Sequence, residues 1–334
     1  MGEKNRIECV DIAKGIVILL VLLGHLLIGE TLIKKSIYAF HMPFFFIVAG
    51  FFISKKTICE YASHRFSTLI VPYLLFALFY GMLSIKTILM ILYASNQTLL
   101  KAGSNGMLWF LPCLFFALMG GHVLKKSLER NYWKAFVVIL ICITIGQFLN
   151  NQCHGGHLYM FHRWGLPFAL DVSLIGIAFV LTGYLFVCHG GLSWITKRSK
   201  VQLSVISLSV LVSLVSTFYH TRKLYPQMAT GDIGNWYVYF IVAVISTLGV
   251  LALSQLLSFS IYSRWLIWLG KNSLTIFLVH RMMVGVLQKH FLQRHDNMLM
   301  YLLCFLILSL FSIICTNIIN KFFPYLVGKN NQTN

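Results

Sequence analysis

Long apolar runs separated by short polar segments make up most of this chain. A helix needs about 20 apolar residues to cross the ~30 Å hydrocarbon layer of a lipid bilayer. The pattern therefore predicts an all-α, polytopic transmembrane helix bundle with about ten spans. The predicted spans are 10–28, 36–54, 66–83, 107–124, 133–150, 165–188, 201–219, 236–257, 273–291 and 298–320.

Composition agrees with a chain that lies mostly within a membrane. Of its 334 residues, 58% are hydrophobic and 11% are charged, whereas a soluble domain averages about 25% charged residues. The polar segments are too short to form a separate soluble domain of ordinary size. We expect one integral-membrane domain over residues 1–327 and a disordered tail over residues 328–334.

The positive charge of the chain is arranged as a topology signal. A formal net charge of +18 is also typical of nucleic-acid-binding proteins, but here the basic residues cluster at the ends of the apolar runs. With the N-terminus inside, the inner loops collect sixteen Lys and Arg residues and the outer loops nine. This asymmetry predicts that both termini are cytosolic. It also favours membrane lipids, not nucleic acid, as partners.

The eight cysteines are scattered along the chain, and most lie inside apolar runs. None forms a CxxC pair of the kind that binds metals or cycles between thiol and disulfide. We therefore expect neither a metal site nor a disulfide framework.

The first predicted span carries three ionisable side chains, Asp11, Lys14 and His25. The eleven residues from Lys14 to His25 make about three helical turns, which puts both side chains on one face roughly 16 Å apart. Asp11 lies three residues before Lys14, near the same face. Such groups persist in a membrane helix when they face a protein interior or a wet cavity, and they are usually functional. We expect Asp11 to hold Lys14 in the inner half of a channel.

His25 is the strongest candidate for a catalytic residue. A neutral imidazole can take a proton from a hydroxyl, which suits general-base catalysis of acyl transfer. Glu30, five residues further on, either orients this imidazole or caps the loop. His41 opens the second span after a short loop and is therefore expected near His25. The alternatives are a His25 bonded to neighbouring backbone and a purely structural His41.

Arg65 precedes the third span and joins Lys55 and Lys56 in a cationic cluster. Such a cluster suits the phosphates of a nucleotide-bearing donor. Anionic lipid headgroups are the alternative ligand.

Two further polar or aromatic residues lie at the openings of later spans. Trp109 opens the fourth span, as either a substrate-contacting ring or a member of the aromatic belt at the membrane interface. Asp171 belongs to the sixth span, where an acid is a candidate site residue by default.

His280 and Arg281 lie midway along the ninth span. Two adjacent polar side chains at that depth need partners, and the available acids are Glu30, Asp171 and Asp11. The pair is either a structural ion pair or part of a reaction chamber, and the sequence leaves both open.

Several of these segments together resemble integral-membrane acyltransferase family 3. The segment 11–25, from Asp-Ile-Ala-Lys to Gly-His, resembles the opening motif of that family, and the segments 40–51 and 270–280 also match. The segments 109–111 and 164–183 match more loosely. The resemblance runs from about residue 6 to residue 320, and the branch that it resembles most is the fucose 4-O-acetylase-like group.

The resemblance implies transfer of an acetyl group from the co-substrate acetyl-CoA, with no bound cofactor, in the bacterial cytoplasmic (inner) membrane. The acceptor would be a sugar hydroxyl of a cell-surface polysaccharide or of its lipid-linked precursor, with polysaccharide-synthesis proteins as possible partners. His25 corresponds to the essential histidine of the family and Arg65 to one of its inner-face arginines. The wider family usually has Arg where Lys14 stands, and Lys is common there in the fucose 4-O-acetylase-like branch. A lysine cannot make the two-pronged contact that Arg makes with a phosphate, which weakens the case for Lys14 as the group that holds the donor.

Two other functions compete with acyl transfer. Intramembrane Lys, His and Asp also form proton relays in transporters, so a flippase of a lipid-linked sugar or exopolysaccharide is one alternative. The sequence shows neither an internal repeat nor paired Gly/Pro-broken segments, which argues against it. A non-catalytic subunit of polysaccharide synthesis is the second alternative, and the intact Lys14 and His25 pair argues against that.

Overall fold

The computed structural model describes residues 3–81, 84–101, 104–155, 165–219, 226–231, 233–294 and 297–329. In these ranges every regular element is a helix and there is no β-strand, which confirms the all-α fold class. The α-helices are α1 (Glu3–Leu26), α2 (Leu32–Tyr38), α3 (His41–Gly50), α4 (Ile58–Arg65), α5 (Val71–Tyr80), α6 (Ile85–Tyr93), α7 (Asn96–Lys101), α8 (Phe110–Leu128), α9 (Tyr132–Gly155), α10 (Leu170–Cys188), α11 (Gly191–Thr196), α12 (Lys200–Tyr219), α13 (Trp236–Leu257), α14 (Ser263–Lys271), α15 (Ser273–Val279), α16 (Arg281–Leu287) and α17 (Met298–Phe322).

Eight helical stretches in the described residues are long and apolar enough to cross a membrane. Each coincides with one of the predicted spans, so the chain is a polytopic helical membrane protein. The total number of spans and the side on which each terminus lies stay predictions. The eight stretches are Glu8–Leu26, Leu32–Gly50, Ile58–Tyr80, Gly106–Leu128, Tyr132–Cys153, Pro167–Cys188, Trp236–Leu257 and Met298–Phe322.

The two remaining predicted spans look different from the other eight. The span predicted at 201–219 falls on α12, whose apolar part Lys200–Leu214 is shorter than a full crossing. The span predicted at 273–291 is divided between α15 and α16 at His280 and continues as a π-helical turn, Gln288–Leu292. His280 keeps helical backbone angles (φ −60°, ψ −30°), so the chain continues in a helical path through the division.

Contacts within the chain group it into two compact units. Unit 1 comprises Met1–Phe45, Gly190–Pro226 and Ile241–Phe323, and unit 2 comprises Phe46–His189, Gln227–Phe240 and Pro324–Asn334. The first candidate residues, on α1 to α3, belong to unit 1, whereas Arg65, Trp109 and Asp171 belong to unit 2.

Helix α1 is the centre of unit 1, where it contacts α2, α14, α15 and α17. It packs on α14 with the two backbones in direct contact, because a Cβ on Gly15 would overlap the carbonyl of Leu266 and a Cβ on Gly270 would overlap the carbonyl of Asp11. We call this reciprocal arrangement the glycine clasp. Its two contacts lie about one helical turn apart along two antiparallel helices. It fixes the position of the Asp11 backbone.

Helix α10 is the centre of unit 2 and packs between α8 and α9. Its Gly183 lies against the carbonyl of Ile47, and Gly50 lies against the carbonyl of Val180. The second half of α3 therefore packs on α10 as closely as α1 packs on α14.

A short 3-10 turn, Pro324–Val327, ends the last described part of unit 2. The Lys329 amide donates to the Pro324 carbonyl at 3.0 Å, and Gly328 lies beside the backbone of Thr68. Residues 330–334 of the expected tail lie outside the described residues. The boundary at 327 and the expectation of a single domain stay predictions.

Candidate functional site

His25 lies in the last turn of α1, where the apolar side chains Val17, Ile18, Val21 and Leu22 are buried along the helix. Gly24 lets α2 approach this turn, since a Cβ there would meet Ile37 at 3.1 Å and Tyr38 at 3.2 Å. The imidazole is partly buried. The neighbouring helix thus brings an aromatic hydroxyl to the histidine.

Tyr38 connects two of the candidate histidines. Its hydroxyl oxygen lies 3.4 Å from His25 Nδ1, and the two rings meet edge to face with centroids 6.0 Å apart. The other side of the Tyr38 ring meets His41 at 4.8 Å. His41 therefore lies one tyrosine ring away from His25, as the short loop between the first two spans predicts.

His280 comes to the opposite side of His25, with ring centroids 5.2 Å apart. It is fully buried, and its Nδ1–H donates to the Phe277 carbonyl at 2.7 Å. A carbonyl only accepts hydrogen bonds, so the lone pair of the neutral ring is on Nε2. That buried Nε2 has no hydrogen-bond partner among the residues that the structure describes.

His41 has the same tautomer for the same reason. It is buried, and its Nδ1–H donates to the Ile37 carbonyl at 2.9 Å. We call His25, Tyr38, His41 and His280 the histidine cluster. Within the described ranges no set of His, Cys, Asp and Glu side chains has the arrangement of a metal site.

Gln288 holds the end of α1 in place. Its side-chain amide donates to the His25 carbonyl at 2.8 Å and lies 3.4 Å from the Leu26 carbonyl. The last carbonyls of a helix have no partner within the helix, so this contact fixes the turn that carries the His25 ring.

Asp11 and Lys14 form an ion pair of 2.7 Å, as the i, i+3 spacing predicts. The Asp11 side chain is buried, whereas 22% of the surface of the Lys14 side chain is exposed. In the described structure Lys14 and His25 do not contact each other. The two polar positions of α1 are therefore separate sites on one helix.

Glu30 does not orient His25 in the described structure. Its carboxylate lies 3.9 Å from the Lys35 ammonium, so of the two alternatives the contact with the imidazole is the one that is not observed. Arg281 is partly buried and, within unit 1, makes no ion pair with a described acid. Of the acids that the sequence offers as partners, Asp11 and Glu30 lie instead beside Lys14 and Lys35, which are close to them in sequence.

Arg65, in unit 2, is part of a stack of basic and aromatic side chains. Its guanidinium lies 5.0 Å from the centre of the Tyr61 ring, and this ring stacks on His122 at 4.4 Å. His122 Nδ1 is 3.0 Å from the Lys125 ammonium, which also donates to the Ser54 carbonyl. We call Arg65, Tyr61, His122 and Lys125 the basic stack.

The basic stack carries unpaired positive charge. Among the described residues no acid forms an ion pair with Arg65 or Lys125. Lys55 and Lys56, which the sequence places in the same cationic cluster, are exposed nearby along the chain. This part of unit 2 is therefore electrostatically suited to an anion.

Trp109 and Asp171 occupy buried positions in unit 2. Trp109 is buried and contacts Phe110 edge to face at 6.3 Å, so it is a packed ring and not an exposed belt residue. Asp171 lies in the first turn of α10, where the helix dipole favours a carboxylate. Phe168 and Ala169 just before it have left-handed φ angles of 58° and 52°. Trp164 lies outside the described residues.

Comparison with known proteins identifies the family of the chain. A family model described as an acyltransferase domain matches residues 7–319, nearly the whole chain. The chain belongs to acyltransferase family 3. The matched range contains every candidate residue from Asp11 to Arg281.

Two curated relatives of this chain carry the name nodulation protein NolL. The protein from Mesorhizobium japonicum is 29% identical over 169 residues, which is 43% of this chain and 44% of that protein. The protein from Sinorhizobium fredii is 35% identical over 89 residues, 22% of this chain and 24% of that protein. The chain thus spans less than half the length of each relative, and no solved structure matches it. The fucose 4-O-acetylase-like branch stays a prediction.

Four residues that the structure places at the two candidate sites are not among the sequence predictions. Tyr38 could have been found from its spacing, because it lies three residues before His41 and shares a helical face with it. Gln288 carried no signal beyond being a polar residue in an apolar run. The sequence pattern around His122 and Lys125 is typical of the end of a predicted span with basic residues that set its orientation.

Proposed function

We propose that this acyltransferase moves an acetyl group from acetyl-CoA to a sugar hydroxyl of a cell-surface polysaccharide or of its lipid-linked precursor. The observation that carries the proposal is the position of the His25 imidazole, partly buried between the Tyr38 hydroxyl and His280 at the end of α1. A general base must be held within reach of the proton that it takes, and it must be uncharged when it takes that proton.

Tyr38 is the partner that we assign to the Nδ1 atom of His25. The Tyr38 hydroxyl can donate or accept there. In the arrangement in which His25 Nδ1–H donates to the Tyr38 oxygen, the lone pair of the ring is on Nε2, which can accept a proton from the sugar hydroxyl. The 3.4 Å separation is long for a hydrogen bond, and such contacts commonly tighten when substrate binds. His280 contacts this imidazole directly, and His41 contacts the Tyr38 ring.

The reaction needs one proton to be moved twice. The hydroxyl oxygen attacks the carbonyl carbon of the thioester while His25 Nε2 takes its proton, so that a C–O bond forms. The C–S bond then breaks, and the protonated His25 returns the proton to the sulfur of coenzyme A. The ester is released and the imidazole is neutral again. General-base catalysis of this kind contributes roughly 10²- to 10⁴-fold in rate.

We assign the phosphates of the donor to the basic stack. Support comes from Arg65 and Lys125, which carry positive charge without a described acid partner, because Arg in particular suits phosphate recognition. Lys14 is a poorer candidate, since its charge is already balanced by Asp11 at 2.7 Å. Trp109 and Asp171 remain proposed substrate-binding residues, and the bacterial cytoplasmic membrane and polysaccharide-synthesis partners remain proposals.

Labelled acetyl-CoA tests the proposal with the detergent-purified protein and a membrane glycan fraction. We expect the wild type to incorporate label into glycan and His25→Ala to lose at least the ~10²-fold that a general base supplies. His290→Ala is the matched control, because His290 is an exposed histidine of the same unit. Wild-type rates in His25→Ala would contradict the proposal. Activity that requires sealed vesicles would favour the transporter alternative instead.

A further inference from the structure

A π-helical turn, Phe66–Ile70, lies directly after Arg65 in the Ile58–Tyr80 span. At its end the Val71 amide donates to the Phe66 carbonyl, five residues earlier, whereas an α-helix joins residues four apart. Single π-helical turns are rare and are frequent at functional sites. One extra residue rotates the preceding helix by about 100° relative to α5. The turn therefore sets the direction in which Arg65 extends from the span.

Pro72 makes this turn a weak place in the helix. A proline has no N–H to donate, and its ring crowds the carbonyl four residues earlier, which here belongs to Thr68. The hydroxyls of Ser67 and Thr68 donate to the His64 carbonyl at 2.9 and 3.0 Å, and these bonds tie the turn to α4. Because the proline removes a backbone bond on the side of α5, the direction of α4 relative to α5 depends on contacts from elsewhere.

Residues 324–329, which we call the hook, supply such a contact within unit 2. The 3-10 turn Pro324–Val327 packs on α5, and Val327 is buried. The Lys329 amide closes the hook by donating to the Pro324 carbonyl at 3.0 Å. The hook is thus a compact turn that is packed against the helix on one side of the π-helical turn.

Gly328 of the hook lies directly against the backbone of the π-helical turn. A Cβ on this glycine would be 2.6 Å from Thr68 Cα and 3.0 Å from the Ser67 carbonyl oxygen. Its φ angle of 67° is also in the left-handed region that favours glycine. Glycine is therefore required here twice, for the backbone angle and for the space.

The hook reaches Arg65 through this backbone contact, three residues further along the chain. Arg65 donates to the Phe52 carbonyl at 3.3 Å, and its guanidinium lies over the Tyr61 ring. Its Nε–H is buried and has no hydrogen-bond partner among the described residues. An unused donor on a cation suits an anionic acceptor, so the value of Arg65 to an anion depends on where the turn directs it.

We propose that the hook is a positioning device for the donor site, which holds the π-helical turn so that Arg65 faces the donor phosphates. This inference rests on the proposed function, since it takes acetyl-CoA as the anion that Arg65 binds. If the hook is displaced, the turn can lose its extra residue, and Arg65 then rotates by about 100° about the helix axis. Tyr61 lies on the same helix and would rotate with it, away from His122 of α8.

Coenzyme A binding to the detergent-purified protein, measured by calorimetry, tests this without acetyl transfer. Gly328→Ala puts a methyl group against Thr68, so the hook must move. We expect the affinity for coenzyme A to fall roughly fivefold to tenfold, as for one weakened charge-assisted contact. Gly190→Ala is the matched control, because Gly190 also has a positive φ, 80°, but a Cβ there meets nothing within 4 Å. Val327→Ala only shortens a buried side chain of the hook and should lower the affinity less.

Hydrogen exchange observes the turn itself. In Gly328→Ala the amides of residues 66–71 should exchange faster than in the wild type, because the contact that holds the turn is lost. The amides of α8 should exchange as before, which shows that unit 2 is still folded. Gly190→Ala should change neither segment.

A double variant separates positioning from a general loss of stability. If the hook acts through Arg65, then Gly328→Ala added to Arg65→Gln should lower the affinity for coenzyme A no further. Losses that multiply would mean that the hook only supports the fold, and they would overturn the inference.

The remaining outcomes distinguish this inference from the proposed function. A wild type that binds coenzyme A while Gly328→Ala binds it equally well, or shows unchanged exchange of the turn, would overturn the inference alone. A wild type that binds no coenzyme A would contradict the donor assignment of the proposed function, and with it the inference that rests on that assignment.

Discussion

Tyr38 is the partner of one nitrogen of the His25 ring. An imidazole can rotate, and a partner at Nδ1 limits that rotation and leaves Nε2 for the substrate. Tyr38 is that partner, at 3.4 Å, and Gly24 makes room for it on α1. Sequence alone pointed to His25 from its position in the first span, but it could not show the partner, because tyrosines are common near membrane interfaces.

Tyr38→Phe should slow acetyl transfer at saturating acetyl-CoA by about threefold to tenfold, the range expected for loss of one hydrogen bond. The KM for acetyl-CoA should stay unchanged, because the ring contacts with His25 and His41 are kept. Tyr262→Phe, at an exposed tyrosine of the same unit, is the control. Initial rates over a range of acetyl-CoA concentrations measure both quantities. An unchanged saturated rate in Tyr38→Phe would argue that the tyrosine only fills space.

The Asp11 and Lys14 pair is expected to stabilise α1 without taking part in proton transfer. Asp11→Asn should lower the free energy of unfolding by about 1–2 kcal/mol, less than for a fully buried pair because Lys14 is partly exposed. Lys14→Gln in the same background should cost less than in the wild type. Chemical denaturation of the two single variants and the double variant measures this coupling. Strictly additive losses would show that the two charges do not interact.

At the scale of elements, close helix packing through glycines positions the first helix. The glycine clasp holds α1 against α14 through Gly15 and Gly270, and a similar contact joins Gly50 and Gly183 in unit 2. Long apolar runs predicted eight spans that the described residues contain as helices, since a crossing needs about 20 apolar residues. They did not predict the shorter helices. The sequence has 24 glycines and gives no sign of which ones touch another backbone, so neither clasp could be predicted.

Gly270→Ala tests the glycine clasp. The added Cβ overlaps the Asp11 carbonyl, so α1 must move away from α14, and we expect a loss of stability of about 1–3 kcal/mol. Gly285→Ala is the matched control, because Gly285 is helical and a Cβ there meets nothing within 4 Å. That variant should be neutral or slightly more stable, as alanine favours helix more than glycine does. Thermal unfolding in detergent compares them, and equal midpoints would refute the clasp.

The element that the sequence described least well is the ninth predicted span. Its apolar residues predicted one helix over 273–291, whereas the structure divides it at His280 and adds a π-helical turn at Gln288–Leu292. At this division the His280 side chain donates a hydrogen bond to the Phe277 carbonyl, three residues earlier in the chain. The hydrophobicity of a segment indicates that it is buried, but it does not indicate such local hydrogen bonds. The same is true of Gln288, which the altered helical path brings to the end of α1.

At the scale of the whole molecule, the two units carry different chemistry. The histidine cluster, which can move protons, belongs to unit 1, and the basic stack, which can bind an anion, belongs to unit 2. The sequence pointed to one residue of each group as its main candidate, His25 in the histidine cluster and Arg65 in the basic stack. It could not predict that His122 and Lys125 join Arg65, because helix-end lysines are also topology signals.

Arg65→Gln combined with Lys125→Gln should raise the KM for acetyl-CoA at least tenfold, because each lost charge removes a charge-assisted contact to phosphate. The saturated rate should change little, since neither residue moves a proton. Lys197→Gln, at an exposed lysine of unit 1, is the control. Steady-state kinetics in detergent gives both parameters. An unaltered KM in the double variant would place the donor phosphates elsewhere.

Mass spectrometry of surface glycans tests the acetyl-transfer role of His25 most directly. A strain from which this gene is deleted should lack an acetyl group on one glycan. Wild-type protein and His290→Ala should restore that group, and His25→Ala should not, although it reaches the membrane in equal amount. An unchanged glycan in the deletion strain, or full restoration by His25→Ala, would contradict the proposed reaction and its general base.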